Sequence, residues 1–269
     1  MIERRTLGCT NIEVGRIGIS SSFGAETAVY HEALEHGCNY FNWGTFIRGR
    51  SSAFQTFFNE IVSAGKREKV VLGLLSYSHS NLLGDMFLKS ALRRLGTDYV
   101  DGLILGYYPK RPAQRVLDWA QKVKAQGLVR AIGMTTHNRR VVVPLAREGL
   151  IDYFHIRYNA VHRGAEQDIF APTTRPGPGL VSFTATSWGQ LLKQKKMPAG
   201  AVAPTAGDCY RFVLSRDEID VCMMGVRNLA MLKENLQIIE KGVMGDEELE
   251  NMYLIGDHLY GKPRKSPEP

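Results

Sequence analysis

Cysteine is scarce in this chain, and its four copies (Cys9, Cys38, Cys209 and Cys222) stand far apart with no CxxC pair. That spacing excludes a thiolate metal motif, and 269 residues need no disulfide framework to fold. Cys38 and Cys222 lie in apolar, strand-like stretches, where a thiol behaves as a small hydrophobe. No apolar run is long enough to span a bilayer, so no membrane partner is expected. The opening Met1-Ile2-Glu3-Arg4-Arg5 lacks the apolar core of a secretory signal, and the expected location is cytoplasmic. The net charge is +7, yet the lysines and arginines are scattered and no basic-aromatic platform accompanies them. Nucleic acid is therefore not an expected partner, and a small anionic or nucleotide ligand suits the bias better. The basic stretch Lys262-Pro263-Arg264-Lys265 is broken by proline, and residues 262–269 read as a frayed tail.

What is present is a rhythm. Short apolar runs alternate with amphipathic stretches along the whole chain. The runs Arg16 to Ser20, Asn39 to Trp43, Val70 to Leu75 and Tyr99 to Leu105 read as strands. So do Val129 to Met134, Tyr153 to Arg157, Leu180 to Thr184 and Val221 to Gly225. Between them, Leu82 to Leu95 carries apolar residues at helical spacing (Leu82, Leu83, Met86, Phe87, Ala91, Leu92, Leu95) after Ser80, a good N-cap, and stops at Gly96. Val116 to Gln126 stops likewise at Gly127, and Asn228 to Glu240 puts Leu229, Leu232, Leu236 and Ile239 on one face. Eight strands, each followed by a helix or helix-like segment, predict one (β/α)8 barrel domain over residues 1–269. Arg5 to Gly8 and Ile12 to Val14 predict a small hairpin ahead of it, and Asp246 to Tyr260 a last helix on its outside. Pro172 to Pro178 and Lys193 to Pro204 read as loops flanking the seventh strand.

Several stretches, in order and at matching spacing, resemble the aldo-keto reductases. They are Arg5-Thr6-Leu7-Gly8, Ala33 to Phe41, Arg94 to Asp101, Gly127 to Gly133, and Gly225-Val226-Arg227-Asn228 continuing to Leu232-Lys233-Glu234-Asn235. Enzymes of that family reduce carbonyls with a nicotinamide hydride. A tyrosine gives the proton, a lysine and an aspartate tune it, and a histidine orients the substrate. A lone phenol, with a pKa near 10, is a poor acid at neutral pH, and a nearby ammonium draws that value down.

Carried across by position, the resemblance sets the aspartate at Asn42 and the tyrosine at Ile47, or at Phe46 if the loop shifts by one. It sets the lysine at Leu75 and the histidine at Gly106. Each substitution removes the needed group, so ordinary carbonyl reduction is not expected. The Ser-Asn pair that holds the nicotinamide amide becomes Thr135-Thr136, and its glutamine partner becomes His155. The aromatic that stacks on the ring aligns with Thr184 or Ala185, which takes the stacking surface away. The adenine-phosphate end is better kept, at Gly225, Arg227, Asn228, Glu234 and Asn235. A helix N-terminus offers free N–H groups there, and Arg227 a fork suited to phosphate. The expected cofactor is NADP(H) before NAD(H).

Other assignments compete with these. Asn228 can cap a surface helix with Arg227 merely solvated, and Glu234 can be a solvated helix residue. His155 can be an inward barrel residue with a satisfied hydrogen bond, and Met223 and Met224 core filler. Tyr107 and Tyr108 follow a strand end and His137 follows another, which makes Tyr107 and His137 weak candidates for a substitute proton donor. Aromatic wall and loop histidine are the plainer readings. Arg48 and Arg50 follow Asn42, while Trp43 and Trp188 follow strand ends and can stack a ligand or pack the wall. Three functions stay open: a divergent reductase, a catalytically silent nucleotide-binding or regulatory barrel, and a barrel for another phosphorylated metabolite. The brief segment Tyr107 to Pro112 points to an open or small mouth.

Overall fold

The strand runs are almost unbroken in apolar residues because both faces of each strand are covered, one by the barrel interior and one by helices. The computed structural model describes residues 1–44, 51–174 and 176–261. A short antiparallel hairpin, β1 (Arg4–Thr6) and β2 (Glu13–Gly15), comes first. Eight parallel strands then close a barrel: β3 (Ile17–Ser20), β4 (Tyr40–Gly44), β5 (Val71–Ser76), β6 (Val100–Leu105), β7 (Val129–Thr136), β8 (Tyr153–Arg157), β9 (Gly179–Phe183) and β10 (Val221–Met224), with β10 pairing back onto β3. This is the expected (β/α)8 fold with its hairpin.

The outer layer is α1 (Thr27–Glu35), α2 (Ser52–Ser63), α3 (Asn81–Leu95), α4 (Gln114–Ala125), α5 (Val142–Arg147), α6 (Ala206–Leu214) and α7 (Leu229–Ile239). A further helix, α8 (Asp246–Tyr260), packs against the outside through Met252, Ile255 and Leu259. Ser80 caps α3 by accepting the Leu83 N–H, and Gly96 closes it in the left-handed region. Leu88, Ala91, Leu92 and Leu95 form its buried face. Leu82, Leu83 and Met86, expected on that face, are exposed instead, because they lie in the first two turns at the mouth end. After β8 the barrel helix shrinks to a single π turn, Glu166–Phe170. The preceding chain is bent by Asn159, whose side chain accepts the N–H of Val161 and His162 (both 3.0 Å) and donates to the Thr184 carbonyl (2.8 Å).

Inside the barrel, Tyr40, Val71, Leu75, Ile104, Ala131, Tyr153, Val181, Val221 and Met223 meet Leu7, Ile12 and Val14 of the hairpin segment, which plugs the floor. Gly8 makes that plug possible. It adopts φ +53°, and a Cβ there would fall 2.1 Å from the Gly179 nitrogen. Two large phenols occupy the middle layer because inward glycines face them. A Cβ on Gly102 would sit 2.0 Å from the Tyr153 hydroxyl, and one on Gly73 would sit 2.9 Å from that of Tyr40. Three carboxylates at the floor stitch neighbouring strands. Asp101 accepts the Leu72 N–H (2.9 Å), Asp152 that of Ile132 (2.7 Å) and Asp220 that of Leu180 (3.0 Å). Asp101 is also paired with Arg67 (2.8 Å) and Arg130 (2.7 Å). Among the described residues no helix is long and apolar enough to cross a membrane, and no His/Cys/Asp/Glu group could hold a metal.

Candidate functional site

Period-two alternation along the strands decides which side chains reach the barrel mouth. From Tyr40 the inward phase of β4 continues to Asn42, and that of β5 runs to Leu75. Asn42 is buried, and its side-chain oxygen accepts the Ser21 N–H at 3.3 Å. Leu75 packs into the apolar interior. Gly106 donates its N–H to the Ser76 carbonyl (2.7 Å), and a Cβ on it would lie 2.7 Å from Cδ1 of Tyr77. The Tyr77 ring thus fills the space beside Gly106, and burial raises its phenol pKa. Ile47, Phe46, Arg48 and Arg50 lie outside the described residues.

At the next strands the Thr136, His155 and Thr184 side chains are already engaged, and Thr135 is engaged through its backbone. The Thr135 carbonyl takes the Tyr108 N–H (3.0 Å). The Thr136 hydroxyl accepts the Asn138 N–H (3.0 Å), and the residue is buried. His155 is an inward residue whose Nε2 shares a 2.8 Å hydrogen bond with the Tyr40 hydroxyl. Burial pushes that imidazole down to about 3, so it is neutral at ordinary pH. Burial also drives the phenols of Tyr40 and Tyr153 up. Thr184 sits at φ +60° with its hydroxyl donating to the Phe183 carbonyl (2.7 Å).

The end of β10 differs. Asn228 caps α7 by accepting the Met231 N–H at 2.9 Å. Arg227 and Glu234 are exposed, and neither makes an ion pair among the described residues. Asn235 turns the other way. It is buried, and its amide approaches the Met224 sulfur at 3.8 Å. Gly225 lies under the half-exposed ring of Phe23, 2.8 Å from where its Cβ would be.

Around the mouth, the His137 ring meets Tyr107 and Phe183 edge-on, at centroid separations of 5.5 and 5.3 Å. Its Nδ1 is buried without a hydrogen-bond partner among the described residues. Burial, and behind it the Arg157 guanidinium, holds His137 below the usual imidazole range. Arg157 follows His155 in the inward phase of β8, pairs laterally with Phe183, and lies 5.8 Å from the centre of the Trp188 ring. Tyr107, Thr184, Ser187 and Trp188 all have φ between 50° and 60°, a strain of roughly 1–3 kcal/mol each for side-chain-bearing residues. Tyr108 is wall: it is buried and stacks on His79 at 4.2 Å. Trp43 is wall too, fully buried with its N–H donated to the Ser51 carbonyl (3.1 Å), which ends its reading as a ligand-stacking ring. Met224 is core as expected.

Sequence reasoning missed Tyr77, Arg157 and Phe183. The signal was there for two of them: counting by twos from His155 and from Val181 puts Arg157 and Phe183 inward at strand ends. Phe183 also restores an aromatic surface one residue before the position where the resemblance placed it.

The Aldo/keto reductase family matches residues 10–206, most of the chain. The chain belongs to that family. Among curated proteins none matches it. Among solved structures it is similar to aldo-keto reductase AKR11C1 from Bacillus halodurans. The holo form is 19% identical with a TM-score of 0.80, and the apo form 20% identical with 0.77. Each comparison covers 97% of this chain and 99% of the other. At that identity the likeness speaks for the fold.

Aldo-keto reductases generally bind nicotinamide cofactors, and the residues of this one fit such a group at one end only. Arg227 is free to meet a phosphate. The Thr136 and Thr184 hydroxyls and the His155 Nε2 are already bonded within the protein. A separate cleft of about 480 Å³ opens at the floor of the barrel, lined by Arg5, Thr6, Thr173, Pro178, Leu180 and Glu218. Its arginine is bonded to Asp217, and barrel chemistry belongs to the opposite, C-terminal strand ends. The mouth is the better candidate.

Proposed function

We propose that this aldo-keto reductase homologue holds NADP(H) by its adenine-phosphate end and lacks ordinary carbonyl-reductase activity. The observation that carries this is the filled space at Gly106, where the Tyr77 ring stands against the position expected to orient a substrate. Beside it, Leu75 and Asn42 supply neither an ammonium nor a carboxylate. When bound, the cofactor would bring hydride chemistry. Arg227 would hold its phosphate beside the start of α7, where Asn228 already caps the Met231 N–H.

His137 is the group favouring the second reading, a divergent reductase. With its pKa held down it is neutral near pH 7, and a neutral imidazole is a weak acid. It suits accepting a proton better than giving one. Tyr77 and Tyr108 are raised by burial, the latter to about 12, and are weaker acids than a free phenol.

The test pairs NADPH calorimetry with a hydride-transfer assay on simple aldehydes. Loss of a positioned general acid costs about 10²–10⁴-fold, so turnover near background is expected alongside NADPH binding. Turnover of about 1 per second or more would overturn the silent reading and make His137→Ala and Tyr107→Phe the next variants. Absence of binding to either cofactor would favour another phosphorylated metabolite.

A further inference from the structure

The loop that joins β9 to α6 carries charge of one sign. From Thr184 to Thr205 it holds no aspartate or glutamate, and its charges are Lys193, Lys195 and Lys196. The loop is built rather than loose, with Leu191 fully buried beneath it. The Gln194 side-chain amide donates to the Ala201 carbonyl and accepts the Ala203 N–H (both 2.8 Å), which holds Val202 beside Lys193 and Lys195. Lys196 folds back onto the Gln190 side chain, two residues from Trp188. What this frame turns outward is apolar and basic. Trp188 is 54% exposed, Leu192 40% and Val202 77%, and Lys193 and Lys195 are exposed with no ion pair among the described residues.

The end of α8 arrives at the same corner. Trp188 and Tyr260 each meet the His162 ring edge-on, both at 6.2 Å between centroids, and Tyr260 is 66% exposed. Asp257, about a turn earlier, is paired with Arg163 (2.7 Å). Directly after the helix the sequence adds Lys262, Arg264 and Lys265, with Glu268 as the acid among them. Large apolar groups left in water in one patch mark a contact surface. A second copy of the chain would set lysine against lysine across a two-fold contact. Tryptophan and tyrosine beside lysines suit the boundary of a bilayer, where ring bodies meet acyl chains and cations meet anionic headgroups.

From this we infer that the corner docks the protein on an anionic phospholipid surface. Trp188, Leu192 and Val202 enter the headgroup boundary, and Lys193, Lys195 and the basic residues that follow α8 meet the lipid anions. Such attachment is from one side and needs no spanning helix, so it replaces the expectation of no membrane partner, which rested on the lack of a span. It does not depend on the cofactor reading.

The experiment mixes the full chain with vesicles of phosphatidylserine and phosphatidylcholine in equal parts, or of phosphatidylcholine alone, and reads co-sedimentation and tryptophan emission. Trp43 and Trp119 are buried, so a blue shift on binding reports Trp188. Binding to the anionic vesicles is expected to be at least about tenfold tighter than to the neutral ones and to weaken as salt rises. The accompanying blue shift should vanish in Trp188→Ala. Lys193→Ser combined with Lys195→Ser should weaken anionic binding by at least about tenfold and leave the thermal midpoint unchanged, since both side chains stand in water. Equal binding to the two vesicles, no binding at millimolar lipid, binding without a blue shift, or indifference to the lysine pair overturns the inference. Binding to polyuridylate but not to vesicles overturns it in favour of a nucleic acid, and binding to polyglutamate but not to vesicles in favour of an acidic protein. If the double variant does not fold, the emission of the unaltered chain on anionic against neutral vesicles decides.

Discussion

At the end of β10 a guanidinium stands in water beside a capped helix start, while at the end of β7 and in β8 a threonine hydroxyl and an imidazole are bonded to the protein. Arg227 has no ion pair among the described residues; Thr136 is tied to Asn138, and His155 to Tyr40. Both regions belong to one mouth, and by resemblance both should face one cofactor. The difference teaches that a polar residue at the right position is not yet a ligand group. Its hydrogen-bonding capacity must still be unspent. By that measure Arg227 and Glu234 stay exposed among the positions that the resemblance gives to the adenine end, while Asn228 and Asn235, like Thr136 and His155, are already engaged in the fold.

The contrast can be broken most sharply at Arg227. A guanidinium at a helix start can make paired, charge-assisted bonds to a 2′-phosphate, each worth roughly 1.5–3 kcal/mol. Arg227→Glu is therefore expected to weaken NADPH by about 10- to 100-fold, to leave NADH nearly unchanged, and to matter less as salt rises. Calorimetry on both cofactors reads this directly, and equal losses for the two would erase the distinction.

Gly106→His rebuilds a family group at the other end. The added side chain must displace the Tyr77 ring, so overpacking of about 1–3 kcal/mol is expected in denaturant unfolding. Combining it with Tyr77→Ala should remove the part of that penalty owed to the ring and leave the part owed to the Ser76 carbonyl, 2.9 Å from the new Cβ. An undiminished stability in the single variant would show that the space is open after all.

A smaller effect comes from His155. Its native pKa is about 3 against 6.5 in the unfolded chain, so between those values the unfolded state binds the extra proton. Stability from this group is complete above about pH 6.5 and falls on acidification, by roughly 1.4 kcal/mol per pH unit, until about pH 3. His155→Gln cannot titrate and should flatten the acid limb by that slope; matching limbs would mean the imidazole is hydrated. The smallest change expected is for Thr136→Val, which strands the Asn138 N–H. It should cost about 1 kcal/mol of stability and leave cofactor affinity untouched.

The fold was legible because its signals are local. Apolar runs such as Val70 to Leu75 and Gly stops such as Gly96 and Gly127 need no tertiary knowledge to read. The missing sixth helix was harder to foresee, since Asn159 bends the chain through a partner 25 residues away. The site was legible only as positions. Asn42, Leu75 and Gly106 could be assigned a place, but the Tyr77 ring beside Gly106 comes from a different strand end. Tyr40 is 115 residues from His155, so their bond depends on barrel closure. Asn235 was a candidate ligand group by the resemblance and lies buried with its amide toward Met224, because helix phase outweighs motif position there.

The central claim is that the adenine end carries recognition, and the affinities of 2′,5′-ADP and NADPH, titrated side by side into the full chain, test it most directly. The account expects the two to agree within about threefold, less than 1 kcal/mol, because the nicotinamide half finds few open partners. A hundredfold tighter NADPH, nearly 3 kcal/mol, would contradict it and show that the ring is held by groups that here are bonded to the protein itself.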